Sequence, residues 1–144
     1  MKIIVIGGGA AGMTAAIFAA QNAEVLLIEK NEKLGKKLYI TGKGRCNVTN
    51  DTFEEDFFNN VVTNPRFLMS AINSFTPADV MEFFTANGLK LKTERGNRVF
   101  PASDKSSDVI KTLARVLDNS GVEVELNCRA ESLIIKDGVC VGVE

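Results

Sequence analysis

The 144-residue sequence contains no histidine. That one absence removes Ser-His-Asp and Cys-His nucleophile systems, histidine general bases and histidine-ligated metals together. Cysteine is scarce as well. Cys46, Cys128 and Cys140 are odd in number, widely spaced and form no Cys-x-x-Cys pair, so no metal site is read and a reducing compartment, by default the cytoplasm, is expected. Charge of one sign is also lacking, with 17 Lys plus Arg against 18 Asp plus Glu and a formal charge of -1. No basic stretch is interleaved with aromatics beyond the lone Tyr39, so neither nucleic acid nor an anionic membrane is expected as a partner. Long hydrophobic runs are missing too. The nearest approach, Ile3 to Ala20, is broken by Gly7-Gly8-Gly9 after four apolar residues and again by Thr14; it is read as neither a secretory leader nor a membrane span.

What remains is ordinary globular chemistry, 45% hydrophobic and 24% charged, in a chain long enough to bury a core without disulfide or metal staples. Lys2 to Ile6 is a short, β-branched apolar run of the kind that forms a fully buried parallel strand. A helix is expected from about Ala10 to Asn22, and Val25 to Ile28, ending in Glu29, is the next buried strand. That is the start of a βαβ unit. From Lys30 to Arg45 six basic residues face one acid, Glu32, and Gly35, Gly42 and Gly44 break the stretch into short turns. Such a segment is suited to approach an anion.

Helices are expected over Asn64–Phe75 and Thr76–Asn87, the second with Thr76 as N-cap and Pro77 in its first turn. Leu89–Thr93 and Arg98–Phe100 read as short strands. A helix capped by Ser106 or Ser107 follows, with Val109, Ile110, Leu113, Val116 and Leu117 on one face. Val122–Leu126 is another strand, and Glu131–Lys136 pairs with Val139–Val143 around Asp137-Gly138. Phe53, Phe57, Phe58, Phe67, Phe75, Phe83 and Phe84 are read as core packing, Cys128 and Cys140 as core thiols, and Ser103 and Lys105 as turn and cap residues.

The chemistry is concentrated in Gly7-x-Gly9-x-x-Gly12, placed between a buried strand and a helix, with Glu29 ending the next strand seventeen positions later. Gly7 permits the tight turn, Gly9 the approach of a pyrophosphate, and Gly12 close packing of helix on strand. The first helical amides, at Ala10 and Ala11, then face the phosphates. Glu29 can accept the hydroxyls of an adenosine ribose and would repel a 2'-phosphate, which disfavours NADP here. These residues alone do not separate FAD from NAD.

Residues 35–50, Gly-Lys-Lys-Leu-Tyr-Ile-Thr-Gly-Lys-Gly-Arg-Cys-Asn-Val-Thr-Asn, resemble the signature of BaiN-type flavoproteins, the aminoacetone-oxidase family of FAD-binding enzymes. Arg98-Val-Phe-Pro-Ala-Ser-Asp-Lys105 resembles a second motif of that family. The resemblance implies an α/β, Rossmann-like FAD-binding fold of the two-dinucleotide-binding-domain type. Residues 1–50 would form the βαβ unit and flavin loop, 51–105 a mostly helical insertion, and 106–144 a helix, third parallel strand and hairpin. It further implies FAD along the carboxyl edge of the sheet, with Lys30, Lys36 and Lys37 around its phosphates. Gly44, Arg45, Cys46 and Asn47 would lie near the flavin, and the backbone of Ala130 near adenine. Cys46 has no second cysteine nearby and is read as a packed or flavin-adjacent thiol.

Family members are considerably longer, so the chain is expected to be their N-terminal portion, completed by a C-terminal part or a second copy. The function implied is flavin-dependent oxidoreduction, with NADH or NADPH as a transient electron donor and the substrate left open. The alternative is a free-standing adenine-nucleotide-binding or interaction module without turnover.

Overall fold

A computed structural model describes all 144 residues except the side chain of Glu54. In chain order the elements are β1 (Lys2–Ile6), α1 (Ala10–Ala19), β2 (Glu24–Glu29), β3 (Thr49–Asn50), α2 (Glu54–Asn59), α3 (Pro65–Ser74) and α4 (Pro77–Ala86). They continue as β4 (Leu91–Glu94), β5 (Arg98–Pro101), α5 (Ser106–Asn119), β6 (Glu123–Leu126), β7 (Leu133–Lys136) and β8 (Val139–Val143). The chain divides into two units, Met1–Leu38 with Leu113–Glu144, and Tyr39–Thr112.

The first unit is built on a parallel sheet of order β1-β2-β6. Lys2 pairs with Glu24 and Ile6 with Ile28, while Leu26 pairs with Glu123 and Glu29 with Leu126. Because the register is parallel, the carboxyl ends of all three strands arrive on one edge. Val25, Leu27 and Ile28 of the central strand are buried, as are Met13, Ala16 and Ile17 of α1. β1 departs from its expected full burial: it is an edge strand here, with Ile6 54% exposed. An apolar run reports compatibility with two covered faces, not how many neighbours the strand has. α1 stops at Ala19, three residues short of expectation, where the Ala20 N–H bonds back to Ala16 and the chain turns.

The β7–β8 ribbon closes through Asp137 (φ 50°) and Gly138 (φ 76°), a pair of left-handed residues matching a tight hairpin turn. Nothing in its own unit covers it fully: Leu133, Ile135, Val139 and Val141 are all more than half exposed. Cys140 is exposed with them, contrary to its reading as a core thiol.

The second unit carries an antiparallel sheet of order β3-β5-β4 and three helices. Its middle strand supplies the buried Val99, Phe100 and Pro101. Helix α4 starts as its sequence demands. The Thr76 hydroxyl accepts the Asp79 N–H at 3.1 Å, the Asp79 carboxylate accepts the Thr76 N–H at 2.8 Å, and Pro77 follows the cap. Phe84 is buried, but Phe53 and Phe67 are 80% and 78% exposed and do not pack a core. Ser106 does not cap α5; its hydroxyl donates to the Tyr39 carbonyl at 3.3 Å. Ser103 accepts the Lys105 N–H at 3.3 Å, in keeping with a turn role.

Candidate functional site

Where the three parallel strands end, the first unit holds a cavity of about 520 Å³, within the roughly 300–1,000 Å³ usual for small-ligand pockets. Its wall comes from Ile6 to Gly9 after β1, Ile28 to Asn31 after β2, and Cys128 to Ala130 after β6, with Lys36 and Lys37 completing it. Of the residues singled out in the sequence, Gly7, Gly9, Glu29, Lys30, Lys36, Lys37 and Ala130 therefore share one site.

The glycines do separate jobs. Gly7 has φ +102°, closed to most side chains, and its N–H donates to the Ile28 carbonyl at 2.8 Å, so the turn leaves β1 while still tied to β2. A Cβ on Gly12 would lie 1.8 Å from the Gly7 carbonyl oxygen, so helix and turn touch backbone to backbone. Gly9 differs from both. A Cβ there would meet nothing within 4 Å, yet the residue borders the cavity. Packing within the chain therefore does not require a glycine at that position.

Gly9 is also the N-cap of α1, and it gives no side-chain cap; no acid stands in the first turn. The amides of Ala10, Ala11 and Gly12 have no intrahelical acceptor. That leaves the positive end of a helix unneutralised at the turn beside the cavity, a setting for phosphate oxygens.

Glu29 is 8% exposed and fixed from three directions. Its Oε2 accepts the Gly8 N–H at 2.7 Å, and its Oε1 accepts the Asn31 N–H at 2.8 Å together with the Asn31 side-chain amide. Burial pulls its pKa upward, but the Asn31 and Gly8 hydrogen bonds and the charge of Lys30 outweigh it and hold the carboxyl below its ordinary value of 4.5. Stability from this depressed group is complete above that value and lost as pH falls through the folded pKa. Thermal midpoints of wild type and Glu29→Gln are therefore expected to run parallel from pH 8 to pH 6 and to converge below pH 4.5. A gap that stays constant down to pH 3 would contradict the assignment.

The basic run does not act as one body. Lys36 Nζ lies 3.2 Å from Asn31 Oδ1 and 3.3 Å from Glu32 Oε2. Arg45 belongs to the second unit. There its Nη1 donates to Glu94 at 2.9 and 3.1 Å and to Asp104 at 3.2 Å, and its guanidinium lies 4.1 Å above the Phe100 ring. Lys92 bonds the same two carboxylates. The cluster of two cations and two anions is neutral, so the Arg45 charge is already compensated. Asn47, with its amide nitrogen turned inward, donates to the Val99 and Thr49 carbonyls at 3.1 and 2.9 Å. Gly44 and Cys46 are left-handed, with φ 84° and 61°.

Cys46 is 2% exposed, and burial pushes its thiol pKa up against an opposing hydrogen bond with Thr41. It is a packed thiol. Brief alkylation of the native chain at pH 7.5 is expected to label the exposed Cys140 and spare Cys46; labelling of Cys46 first, read by peptide mass, would overturn this. Among the described residues no group of three or more His, Cys, Asp or Glu could hold a metal ion, and no helix is long and apolar enough to cross a membrane.

Sequence reasoning missed Gly8, Asn31, Cys128 and Arg129 as cavity residues. Asn31 had a usable signal: an amide donor two residues beyond a strand-end carboxylate is placed to cap it.

A 3-dehydro-bile acid delta(4,6)-reductase of Clostridium scindens is 36% identical over 135 residues, covering 92% of this chain and 32% of the relative. A ribosomal RNA dihydrouridine synthase of Escherichia coli is 32% identical over 133 residues with the same coverage. The chain thus spans about a third of the length of these curated relatives. Among solved structures, an open-conformation flavocytochrome c3 fumarate reductase superposes with a TM-score of 0.62 at 23% identity, over 99% of this chain and 29% of that one, which shows a shared fold. The profile of the HI0933-like protein Rossmann domain matches residues 1–144 throughout, and the chain belongs to that family.

Proposed function

We propose that this chain is the N-terminal FAD-binding segment of a flavin-dependent oxidoreductase, and that its cavity takes the ADP end of the cofactor. The observation that carries the reading is Gly9, an open-sided glycine on a cavity wall at the uncapped positive end of α1. The residues present fit such a group. Amides of Ala10, Ala11 and Gly12 receive the pyrophosphate, Glu29 receives ribose, and the backbone at Ala130 borders adenine. Lys30 and Lys37 lower the cost of bringing two phosphate charges against the protein. The place of Gly44–Asn47 beside the flavin rests on their sequence signature.

When bound, the isoalloxazine supplies the two-electron chemistry. This chain supplies binding and orientation, and its lack of histidine costs nothing because no side chain in it has to relay a proton. Both curated relatives are named for saturating a carbon–carbon double bond, one in a bile acid and one in uridine. We carry over that reaction class, with NADH or NADPH as electron source.

The test is anaerobic reduction of the complete, FAD-loaded protein by NADH or NADPH, followed by a 4-en-3-one steroid or a uridine-containing RNA. Bleaching of the flavin band and its recovery with one alkene support the reading. Binding of ADP without FAD would contradict it and point to a nucleotide-binding module without turnover.

A further inference from the structure

At the cavity rim a run of hydrogen bonds, closed through the Gly35–Lys36 peptide link, goes beyond what the fingerprint describes. The Gly8 N–H donates to Glu29 Oε2, and Asn31 donates twice to Glu29 Oε1. Lys36 donates to Asn31 Oδ1, and the neighbouring Gly35 N–H returns to the Gly8 carbonyl at 2.8 Å. Asn31 is tied down from a further side, since its carbonyl accepts the Asn127 N–H just beyond β6 at 3.0 Å. Both backbone groups of Gly8 are thereby used, and Asn31 bonds to Glu29, Lys36 and the end of the third strand.

A carboxylate offers about four acceptor positions. Two N–H groups fill those of Oε1 and the Gly8 amide takes one on Oε2, which leaves a single position on Oε2. Lys36 places a cation on the Oε1 side, at the far end of the Asn31 amide.

We propose that Asn31 is the positioning residue that sets how this site reads a ribose: by occupying one oxygen of Glu29 it leaves the carboxylate able to grip one ribose hydroxyl, not both. The second hydroxyl meets at most the neutral Asn31 Oδ1, already shared with Lys36. This rests on the reading of the cavity as an ADP site. It makes the two hydroxyls energetically unequal, because a hydrogen bond to a charged acceptor is about twice as strong as one to a neutral group.

The test is calorimetric titration of the 144-residue chain with ADP, 2'-deoxy-ADP and 3'-deoxy-ADP. One deoxy analogue is expected to bind roughly tenfold or more weakly than ADP, and the other within about threefold of it. Asn31→Ala frees a position on Oε1, so the tolerated analogue should then also lose roughly tenfold relative to ADP. Asn31→Leu, which removes the same donor at nearly constant size and adds no charge beside Glu29, should shift the pattern the same way. A merely structural role for Asn31 would weaken all three nucleotides alike. Equal losses for both analogues in wild type, or an unchanged pattern in both variants, overturn the proposal while leaving the ADP site standing. Failure of ADP itself to bind the folded chain overturns the site and the proposal with it.

Discussion

Gly12→Ala is expected to cost the first unit most of its stability. The added Cβ would sit 1.8 Å from the Gly7 carbonyl oxygen and 3.0 Å from its carbonyl carbon. Both are backbone atoms that cannot swing aside as a side-chain tip would. Gly7 is itself held by its hydrogen bond to Ile28, so relief requires α1 to lift from the sheet or the turn to break away from β2. Overpacking a side chain in a relaxed core costs about 1–3 kcal/mol, and displacing fixed backbone costs more, so a loss of about 3 kcal/mol or greater is expected. In a chain of this size that corresponds to roughly a 10 °C fall in thermal midpoint. Circular dichroism melting reads it, and a midpoint within 2 °C of wild type would show that the helix does not press on the turn as described.

Gly9→Ala separates binding from folding. Three positions earlier, the same added methyl group meets nothing within 4 Å, and the backbone there, φ -80° and ψ -174°, is open to any residue. Alanine is a poorer N-cap than glycine, so a stability loss of about 1 kcal/mol or less is expected. In the proposed ADP site the methyl group stands on the cavity wall, in the space through which a phosphate oxygen would reach the amides of α1. Expelling or compressing that contact weakens ADP by roughly 10–100-fold. A melt lowered by no more than about 4 °C, with ADP weakened roughly 10–100-fold, is the expected signature. Retained affinity would mean that the phosphates do not approach Gly9.

The contrast between these two glycines shows how far the sequence could be read. Strand, turn, helix and strand-end acid were all legible, because a β-branched run, three spaced glycines and Glu29 are local signals whose physics is local. The Thr76-Pro77 start and the Asp137-Gly138 turn were legible for the same reason. The separate jobs of Gly9 and Gly12 were legible from their spacing as well; the atom that presses on Gly12, the Gly7 carbonyl oxygen five residues back, was not.

Arg45 was counted in a basic run suited to an anion, and its ion pairs were not legible because its partners lie 49 and 59 residues away. No spacing rule connects Arg45 to Glu94 and Asp104. β3 went unseen because two residues carry no periodicity. Phe53 and Phe67 were assigned to a core on hydrophobicity alone, and Cys140 on strand propensity. Both arguments state what a residue tolerates, not what its neighbours cover.

Calorimetric titration of the folded 144-residue chain with ADP and with FAD tests the central claim most directly. The account requires one site per chain that both ligands share, with FAD displaced by ADP and both weakened by Gly9→Ala. A chain that melts cooperatively yet binds neither ligand would contradict it.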